Sequence, residues 1–443
     1  MGAVLAILTV IVCMLIGVPV VFAFAAMTLV LTIVYDVHLS FVMTTGFWAI
    51  NSVILIALPL FIMTGYLMQA GGMAARLIAF VEALVGRSKS GMGSSMVVAC
   101  GIFGAISGTA SAAVASIGTI MAGPMERHGY PRHYTSALLG ISSLLGILFP
   151  PSITMILYAV VTQQSVAACF LATIGPGMLL IVTLILLNRF FIRREQKGDS
   201  GNDPDHDSGH GSKPATAEQR LAEFGRTGWT ALPALLVPVI ILGGIYGGVF
   251  TPTEAAAIAV VYAIPVGLFV YRELDWRKIF RALVEAATTT GVIMIILVFS
   301  FVASRIFTLE RIPQELTELM MGTFHSRILV LLAVNLFLIL LGMIMDDVSV
   351  VAIVSPLLLP VMTSIGVDPI QFAAIVGTSV VIGCNSPPMA PILFMSCRIC
   401  NVGITRVARP ALLFMVFAAL PVMLVTTFWP PLSMYLPRLL GYN

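Results

Sequence analysis

Two of the pairs of adjacent prolines in this chain lie in apolar stretches four residues after a glycine. The stretches are GILFPPSITM at residues 146–155 and GCNSPPMAPI at residues 383–392. Proline lacks the N–H that bonds the carbonyl four residues earlier in a helix, so each pair predicts a broken helix. The carbonyls of Gly146 and Gly383, and of the residue after each, are thereby left without helical N–H donors. Freed backbone carbonyls at such breaks are oxygen ligands suited to Na⁺.

Small and polar residues interrupt the apolar sequence ahead of each proline pair. The interruptions are GAISGTASAAVASIG at residues 104–118 and GMIMDDVSVVAIVS at residues 342–355. We interpret each as the tip of a re-entrant helical hairpin, which is tolerated at membrane depth where it lines a protein cavity. The N-terminus of the returning helix favours a carboxylate or sulfonate group. The candidate capping and substrate-binding residues are Thr109 or Ser111 at the first tip and Asp347 or Ser349 at the second.

Asp346 and Asp347 place two carboxylates at the predicted second tip, near the middle of the membrane. An acidic side chain costs roughly 2.5 kcal/mol or more there unless it is paired. One of them is therefore expected to coordinate Na⁺ or to exchange a proton, although Asp347 could equally cap the returning helix. Asn385, beside a freed carbonyl, either contacts the substrate or bridges helices.

An internal repeat relates the two sets of residues. Shifting the sequence by 237 residues places Gly129 on Gly366, Gly146 on Gly383 and Pro150–Pro151 on Pro387–Pro388. Paired interruptions at matching positions of two halves are typical of transport sites. The loops around the first repeat carry Arg87, Lys89, Arg127 and Arg132, whereas the equivalent loops of the second carry only Arg327. Because cytoplasmic loops accumulate Lys and Arg, the two repeats are predicted to be inverted.

The elements that must hold these residues are helices in a membrane. Of the 443 residues, 59% are hydrophobic and 10% are charged, against about 45–50% and about 25% in soluble domains. Apolar runs of about 20 residues can cross a bilayer as helices. Such runs lie near residues 3–34, 50–70, 135–160, 166–188, 229–250, 254–271, 284–303, 370–395 and 410–436. The sequence thus predicts an all-α polytopic membrane protein, and the net charge of +3 gives no reason to expect nucleic-acid binding.

The predicted organisation is two repeats joined by a linker. The N-terminal repeat covers residues 1–188, with a hairpin at about 92–124 and a broken helix at about 135–160. The C-terminal repeat covers residues 229–443, with a hairpin at about 327–360 and a broken helix at about 370–395. The linker, residues 189–228, is rich in Gly, Ser, Asp and basic residues, so we predict a flexible cytoplasmic segment.

The distribution of Lys and Arg predicts the orientation in the membrane. Basic segments at 272–281 and 396–409 belong on the same side as the linker, whereas 35–49, 161–165 and 251–253 contain no Lys or Arg. The positive-inside rule then places the linker side in the cytoplasm. The N-terminus is predicted to be cytoplasmic and the C-terminus periplasmic.

Five stretches are specific enough to compare with a known family. They are GVPVVFA at 17–23, LPLFIMTGYLMQAGG at 58–72, GIFGAISGTASAAVASIGTIM at 101–121, YGGVFTPTEAAAIAVVYA at 246–263 and LGMIMDDVSVVAIVSPLLLPVMTSIGVDP at 341–369. The chain resembles the large membrane subunit of tripartite ATP-independent periplasmic (TRAP) transporters almost from end to end, except in 195–228. The Phe-Thr-Pro-Thr-Glu-Ala run is the most specific element, and its Glu254 is expected to cap a helix.

The chain departs from that family at three places. Residues 386–390 read Ser-Pro-Pro-Met-Ala, where the family usually has Thr-Pro-Pro-Val-Gly, and Tyr66 stands where many relatives have an acid. Asp347 doubles an acid that is expected only once, so the resemblance does not identify the substrate.

The resemblance implies a sodium-driven uptake system for organic anions in the bacterial inner membrane. A periplasmic solute-binding protein would deliver the substrate, and a small four-helix membrane subunit would brace the chain. A transport domain carrying both hairpins would move like an elevator against a fixed scaffold. With Na⁺ as the only metal, the ion sites implied are Ser107, Gly108, Gly146 and Pro150 in the first repeat, and Gly342, Asp346, Gly383 and Ser386 in the second.

Three other functions are compatible with an apolar helical chain to different degrees. A self-sufficient sodium–anion symporter with the same paired hairpins is the main alternative, and it would need no binding protein. An intramembrane enzyme is disfavoured because the sequence lacks H-E-x-x-H, G-x-S-x-G and clustered histidines in apolar stretches. A sodium-independent channel is disfavoured because no ring of pore-lining charges is predicted.

Overall fold

The computed structural model of the chain describes residues 2–85, 91–199, 217–324, 326–386 and 390–442. These residues form helices and turns, with no strand among them, which confirms the predicted all-α fold. Seven described segments are long and apolar enough to cross a membrane: Val53–Ala70, Val166–Ile192, Phe224–Tyr246, Pro252–Val270, Trp276–Leu309, Asp347–Ser364 and Ile404–Phe428. The chain is therefore a multi-pass membrane protein.

The first half of the chain contains the first hairpin and the first broken helix. Its helices are α1 Gly2–Leu15, α2 Val20–Val34, α3 Leu39–Ile50, α4 Ala57–Ala70, α5 Met73–Val85, α6 Gly91–Ser107, α7 Ala110–Arg127, α8 Arg132–Ser143, α9 Leu145–Leu148, α10 Ile153–Thr162 and α11 Val166–Asp199. A 3₁₀ turn at Val53–Ile56 leads into α4. Helices α6 and α7 form the first hairpin, and α8, α9 and α10 form the helix that the prolines interrupt.

The second half contains the second hairpin and the second proline pair. Its helices are α12 Ala217–Tyr246, α13 Pro252–Pro265, α14 Trp276–Leu309, α15 Ile312–Thr323, α16 Arg327–Gly342, α17 Asp347–Ser364, α18 Pro369–Cys384, α19 Pro391–Ile399, α20 Ile404–Phe414, α21 Leu420–Phe428 and α22 Pro431–Leu439. Single π-helical turns at Val266–Val270 and Met415–Ala419 extend α13 and join α20 to α21. Helices α16 and α17 form the second hairpin, and α18 and α19 lie on either side of the second proline pair.

The apolar run 3–34, predicted as one span, is two shorter helices that pack against each other. The chain leaves α1 at Gly17, which has a φ of +90°, and α2 starts directly after Pro19. Gly17 adopts a left-handed conformation that residues with a side chain disfavour, and Pro19 has no N–H to continue a helix. The prediction of a single span was wrong because hydropathy alone conceals this glycine–proline turn.

The linker predicted at 189–228 is partly helical. Helix α11 continues through Asp199 and α12 begins at Ala217, so both enter the predicted linker. Arg, Lys, Glu, Gln and Ala, which are common at both ends of the predicted linker, favour helix, so the neighbouring helices extend into it. The rest of the linker, residues 200–216, lies outside the described residues.

Two large apolar clusters fill the interior, and the first broken helix passes from one to the other. One cluster includes Phe61 of α4, Leu297 of α14 and Phe372 of α18. The other includes Ile117 of α7 and Leu138 of α8. Helices α8 and α9 contribute to the second cluster, whereas α10 contributes to the first. The proline break therefore lies where the two clusters meet.

The N-terminus of α13 shows that one local prediction from the sequence is correct. The Thr251 hydroxyl accepts from the Glu254 N–H at 3.3 Å, and the Glu254 carboxylate accepts from the Thr251 N–H at 2.8 Å. This reciprocal capping box confirms that Glu254 caps a helix.

Candidate functional site

The tip of the first hairpin is a short left-handed turn with a side-chain cap. Helix α6 ends at Ser107, Gly108 has a φ of +66°, and Thr109 is the N-cap of α7. The Thr109 hydroxyl accepts from the N–H of Ala112 at 3.3 Å. Of the two candidate caps, Thr109 is therefore confirmed and Ser111 does not serve as one.

Glycines bring this tip into backbone contact with the first broken helix. A Cβ on Gly146 would lie 2.6 Å from the carbonyl oxygen of Thr109, and one on Gly104 would lie 2.5 Å from the Cα of Gly146. The N–H of Ile153, the first residue of α10, donates to the Gly108 carbonyl at 3.2 Å. The ion-site residues predicted in the first repeat, Ser107, Gly108, Gly146 and Pro150, therefore lie around one contact.

The proline pair ends one helix and starts the next. Helix α9 ends at Leu148, and α10 begins at Ile153 after Ser152, whose hydroxyl accepts from the Met155 N–H at 3.4 Å. The two arms, Arg132–Leu148 and Ile153–Thr162, are bent by 43° at the break. Neither Pro150 nor Pro151 has an N–H to donate to the carbonyls four residues earlier.

The second half of the chain has a similar glycine contact. A Cβ on Gly383 of α18 would lie 2.6 Å from the Cα of Gly342, which ends α16. One predicted detail was wrong: the Gly383 carbonyl is not free, because it accepts from the Ser386 N–H at 2.8 Å. The chain tightens into a turn after α18, and this turn supplies the missing donor. Residues 387–389, the second proline pair and Met389, lie outside the described residues.

The acidic pair at the second tip is held by hydroxyl groups. Asp346, rather than Asp347 or Ser349, occupies the N-cap position of α17, and its side chain makes no capping bond. Instead, the Ser349 hydroxyl donates to Asp346 at 2.5 Å. The hydroxyl of Thr154 on α10 donates to Asp347 at 2.5 Å. The prediction that Asp347 or Ser349 caps the returning helix was therefore wrong.

Asn385 is buried and has unused hydrogen-bonding capacity. It is 0% exposed, and neither its amide oxygen nor its amide nitrogen has a hydrogen-bond partner among the described residues. It packs against α8, where a Cβ on Gly140 would lie 3.1 Å from its amide oxygen. Ser386 beside it donates its hydroxyl to the Ile382 carbonyl at 2.8 Å. An unpaired buried amide is costly, so a ligand that binds here would gain from pairing with it.

A cavity of about 550 Å³ opens between the first hairpin and the pair of helices α4 and α14. The hairpin contributes Ser107, Thr109 and Ser111. The other predicted site residues do not line it: Gly342, Asp346, Asp347, Ser349, Gly383, Asn385 and Ser386 of the second repeat lie elsewhere. The two tips therefore do not share this cavity, and the substrate-binding roles of Asp347, Ser349 and Asn385 stay predictions.

The opposite wall holds polar residues of α14 that the sequence did not single out, together with Tyr66 of α4, which it did. Helix α14 contributes Lys278, Arg281, Glu285 and Thr289. The hydroxyl groups of Tyr66 on α4 and Thr289 lie 3.1 Å apart. These four residues of α14 are spaced three or four apart in the sequence, which predicts that they share one face of a helix. That face is recognisable as a cavity wall only once α14 is known to pack on α4.

An ionic network fixes the end of this wall. Arg76 pairs with Glu273 at 2.6 Å, and its guanidinium lies 4.3 Å from the ring centre of Tyr271. The ammonium of Lys278 donates to the Glu273 carbonyl at 2.5 Å. The loop before α14 is thus tied to α5, and Lys278 has a defined position at the cavity.

These features define a multi-pass helical membrane protein in which a helical hairpin packs on a proline-broken helix. The family described as the tripartite ATP-independent periplasmic transporter, DctM component, matches residues 7–432. The chain belongs to this family, and the resemblance seen in the sequence is confirmed. Its relatives are transporter permeases.

The chain is 34% identical over 389 residues to the C4-dicarboxylate TRAP transporter large permease protein DctM of Pseudomonas aeruginosa, covering 88% of this chain and 87% of that protein. It is 32% identical over 397 residues to the isethionate TRAP transporter permease protein DctMQ of Oleidesulfovibrio alaskensis, covering 90% of this chain but 60% of that longer protein. It is 30% identical over 395 residues to the sialic acid TRAP transporter large permease protein SiaM of Vibrio cholerae, covering 89% of this chain and 88% of that protein.

A solved structure has a similar fold. The YdaH transporter of Alcanivorax borkumensis, whose crystal structure is described as having an unusual topology, superposes with a TM-score of 0.62. The match covers 89% of both chains at 15% identity. This likeness concerns the fold alone.

Proposed function

We propose that this chain is the large membrane subunit of a system that takes up an organic anion together with Na⁺. The observation that carries the proposal is the cavity, which has hydroxyl groups and the N-terminus of α7 on one wall and Lys278 and Arg281 on the other. A helix N-terminus and fixed cations both stabilise a carboxylate or sulfonate. Relatives named for C4-dicarboxylate, isethionate and sialic acid support an organic acid as the substrate.

The two glycine contacts are the proposed sodium sites. Ser107, Gly108, Gly146 and Pro150 surround the first, and Gly342, Asp346, Gly383 and Ser386 surround the second. Their donors are carbonyl, hydroxyl and carboxylate oxygens, which suit a hard cation rather than a transition metal. In the described residues no group of three or more His, Cys, Asp and Glu side chains could hold another metal. The unpaired side-chain amide of Asn385 beside the second contact would supply its oxygen as a further ligand to the ion, or would pair with a water molecule on the ion.

The movement is proposed to be of the elevator type, with two inverted repeats carrying the hairpins. The first proline break lies between two apolar clusters, and a boundary between cores is where rigid bodies can slide. The partners are a periplasmic solute-binding protein and a small four-helix membrane subunit, in the bacterial inner membrane. The N-terminus is cytoplasmic and the C-terminus periplasmic in this proposal.

Uptake into proteoliposomes tests the function. The chain would be reconstituted with the proposed small subunit and binding protein, and supplied with radiolabelled succinate, isethionate or N-acetylneuraminate. We expect uptake of at least one anion with an inward Na⁺ gradient and loss of uptake when Li⁺ or choline replaces Na⁺. Full uptake in choline with only a proton gradient would overturn the sodium assignment. Uptake without the binding protein would favour the self-sufficient symporter instead.

A further inference from the structure

The charged wall of the cavity is a single face of α14. Lys278, Arg281, Glu285 and Thr289 follow one another at intervals of three or four residues, which places them in one row about 16 Å long. The row faces the hairpin tip, and Thr289 at its far end lies beside Tyr66. Lys278 is anchored by the Glu273 carbonyl, so the row is a fixed feature of the wall.

The charges of this row nearly cancel. Two cations, Lys278 and Arg281, face one carboxylate, Glu285, and the other described lining residues carry no charge. The neighbouring Arg76 and Glu273 neutralise each other. Arg281 has no ion-pair partner among the described residues. The cavity therefore has a net charge of +1, to which the N-terminus of α7 adds a partial positive charge.

We propose that the cavity selects an organic acid carrying one negative charge, and that Arg281 and Glu285 are the residues that set this selectivity. The proposal rests on the proposed function and names its substrate class. Arg281 offers the counter-charge to one acidic group. A second acidic group that extends along the row toward Glu285, one turn further along α14, meets a like charge, whereas Lys278 on the other side of Arg281 already donates to the Glu273 carbonyl. A monoanion leaves the cavity neutral, whereas a dianion leaves it with a net negative charge beside Glu285.

Pairs of ligands with the same skeleton but different charge test this selectivity. The probes are succinate against succinamate and glutarate against glutaramate, in which an amide replaces one carboxylate, with isethionate as a sulfonate monoanion. Binding would be measured as stabilisation against heat of the purified full chain in lipid nanodiscs, in 100 mM Na⁺ and in choline. We expect the monoanion of at least one pair to bind the wild-type chain at least tenfold more tightly than its dianion.

Three variants separate selectivity from simple affinity. Glu285→Gln raises the charge of the wall, so it should reduce the preference for the monoanion by at least tenfold through tighter binding of the dianion. Arg281→Gln should weaken every anion by at least tenfold. Arg277→Gln is the matched control, because Arg277 is exposed on the same helix but does not line the cavity. It should leave the dissociation constants of all five anions within twofold of the wild-type values.

The outcomes keep this inference distinct from the proposed function. A wild-type preference for the dianions, an unchanged preference in Glu285→Gln, or no stabilisation by any of the five anions would overturn the selectivity. Sodium-dependent binding of dianions would leave sodium-coupled anion transport intact while removing the monoanion assignment. Anion binding that is equal in Na⁺ and choline would instead count against the proposed function.

Discussion

The contact between Gly146 and the first hairpin tip predicts a measurable cost for a single methyl group. In Gly146→Ala, the new Cβ would lie 2.6 Å from the Thr109 carbonyl oxygen and 2.9 Å from its carbon. Carbon and oxygen atoms approach to about 3.3–3.6 Å in favourable contacts, so the tip must retreat by about 0.7 Å or more. Both atoms belong to the backbone and cannot rotate away. Overpacking of this kind costs about 1–3 kcal/mol.

A control removes the general effect of replacing glycine by alanine in a helix. Gly291 of α14 has no atom within 4 Å of where a Cβ would be placed. Both substitutions gain about 1 kcal/mol of helix propensity. The difference in unfolding free energy between Gly146→Ala and Gly291→Ala therefore isolates the overpacking of about 1–3 kcal/mol. Gly383→Ala meets the Cα of Gly342 at 2.6 Å, and it should behave like Gly146→Ala.

The assay combines thermal unfolding in nanodiscs with sodium titration. We expect Gly146→Ala and Gly383→Ala to melt below Gly291→Ala, and to need at least tenfold more Na⁺ for the same stabilisation. A tenfold loss of Na⁺ affinity corresponds to about 1.4 kcal/mol, which lies within the overpacking energy of about 1–3 kcal/mol. The reasoning is refuted if Gly146→Ala is as stable as Gly291→Ala, since the tip would then have room for the methyl group. Reduced stability with unchanged sodium dependence would show that the glycine contacts do not form the ion sites.

Three further substitutions test separate features. Ala390→Gly should stabilise the protein by about 1 kcal/mol and so raise its thermal midpoint, because Ala390 has a φ of +30°; a lower midpoint would contradict this. Thr154→Val removes the donor to Asp347 and should cost about 1.5–3 kcal/mol, measured by thermal unfolding, whereas Thr154→Ser should restore it. Replacing Pro150 and Pro151 together by Ala should hold or raise stability, since each regained helical bond contributes about 0.5–1.5 kcal/mol. Sodium affinity should meanwhile fall more than tenfold, and an unchanged affinity would reduce the break to a simple kink.

Features that depend on a few adjacent residues could be predicted from the sequence. The break at Pro150, the turn at Gly108 and the caps at Thr109 and Glu254 follow from missing N–H groups, backbone freedom and short side-chain acceptors. Each of these local structures depends on residues within about four positions of one another in the chain. The turn at Gly17 could have been predicted in the same way from Gly17 and Pro19. It was missed because the surrounding apolar residues led to a prediction of one continuous span.

Features that depend on neighbours distant in the chain could not be predicted. Thr154 and Asp347 are 193 residues apart and meet only because α10 packs on α17. The row on α14 looks like an ordinary helix face until α14 is known to pack on α4 and to face the first hairpin. The Gly383 carbonyl was predicted to be free because only the i+4 donor was considered, whereas the turn supplied a donor at i+3.

The Thr154–Asp347 bond joins the first proline break to the second hairpin tip through a single short helix. Helix α10 has 10 residues; its first N–H donates to the tip of the first hairpin, and its Thr154 donates to the tip of the second. The two donors are adjacent residues, so they cannot shift independently. A displacement of the first tip at Gly108 therefore strains the bond to Asp347 unless α10 or the Thr154 side chain adjusts. These two bonds connect the two hairpin tips, although one tip lies in the first half of the chain and the other in the second.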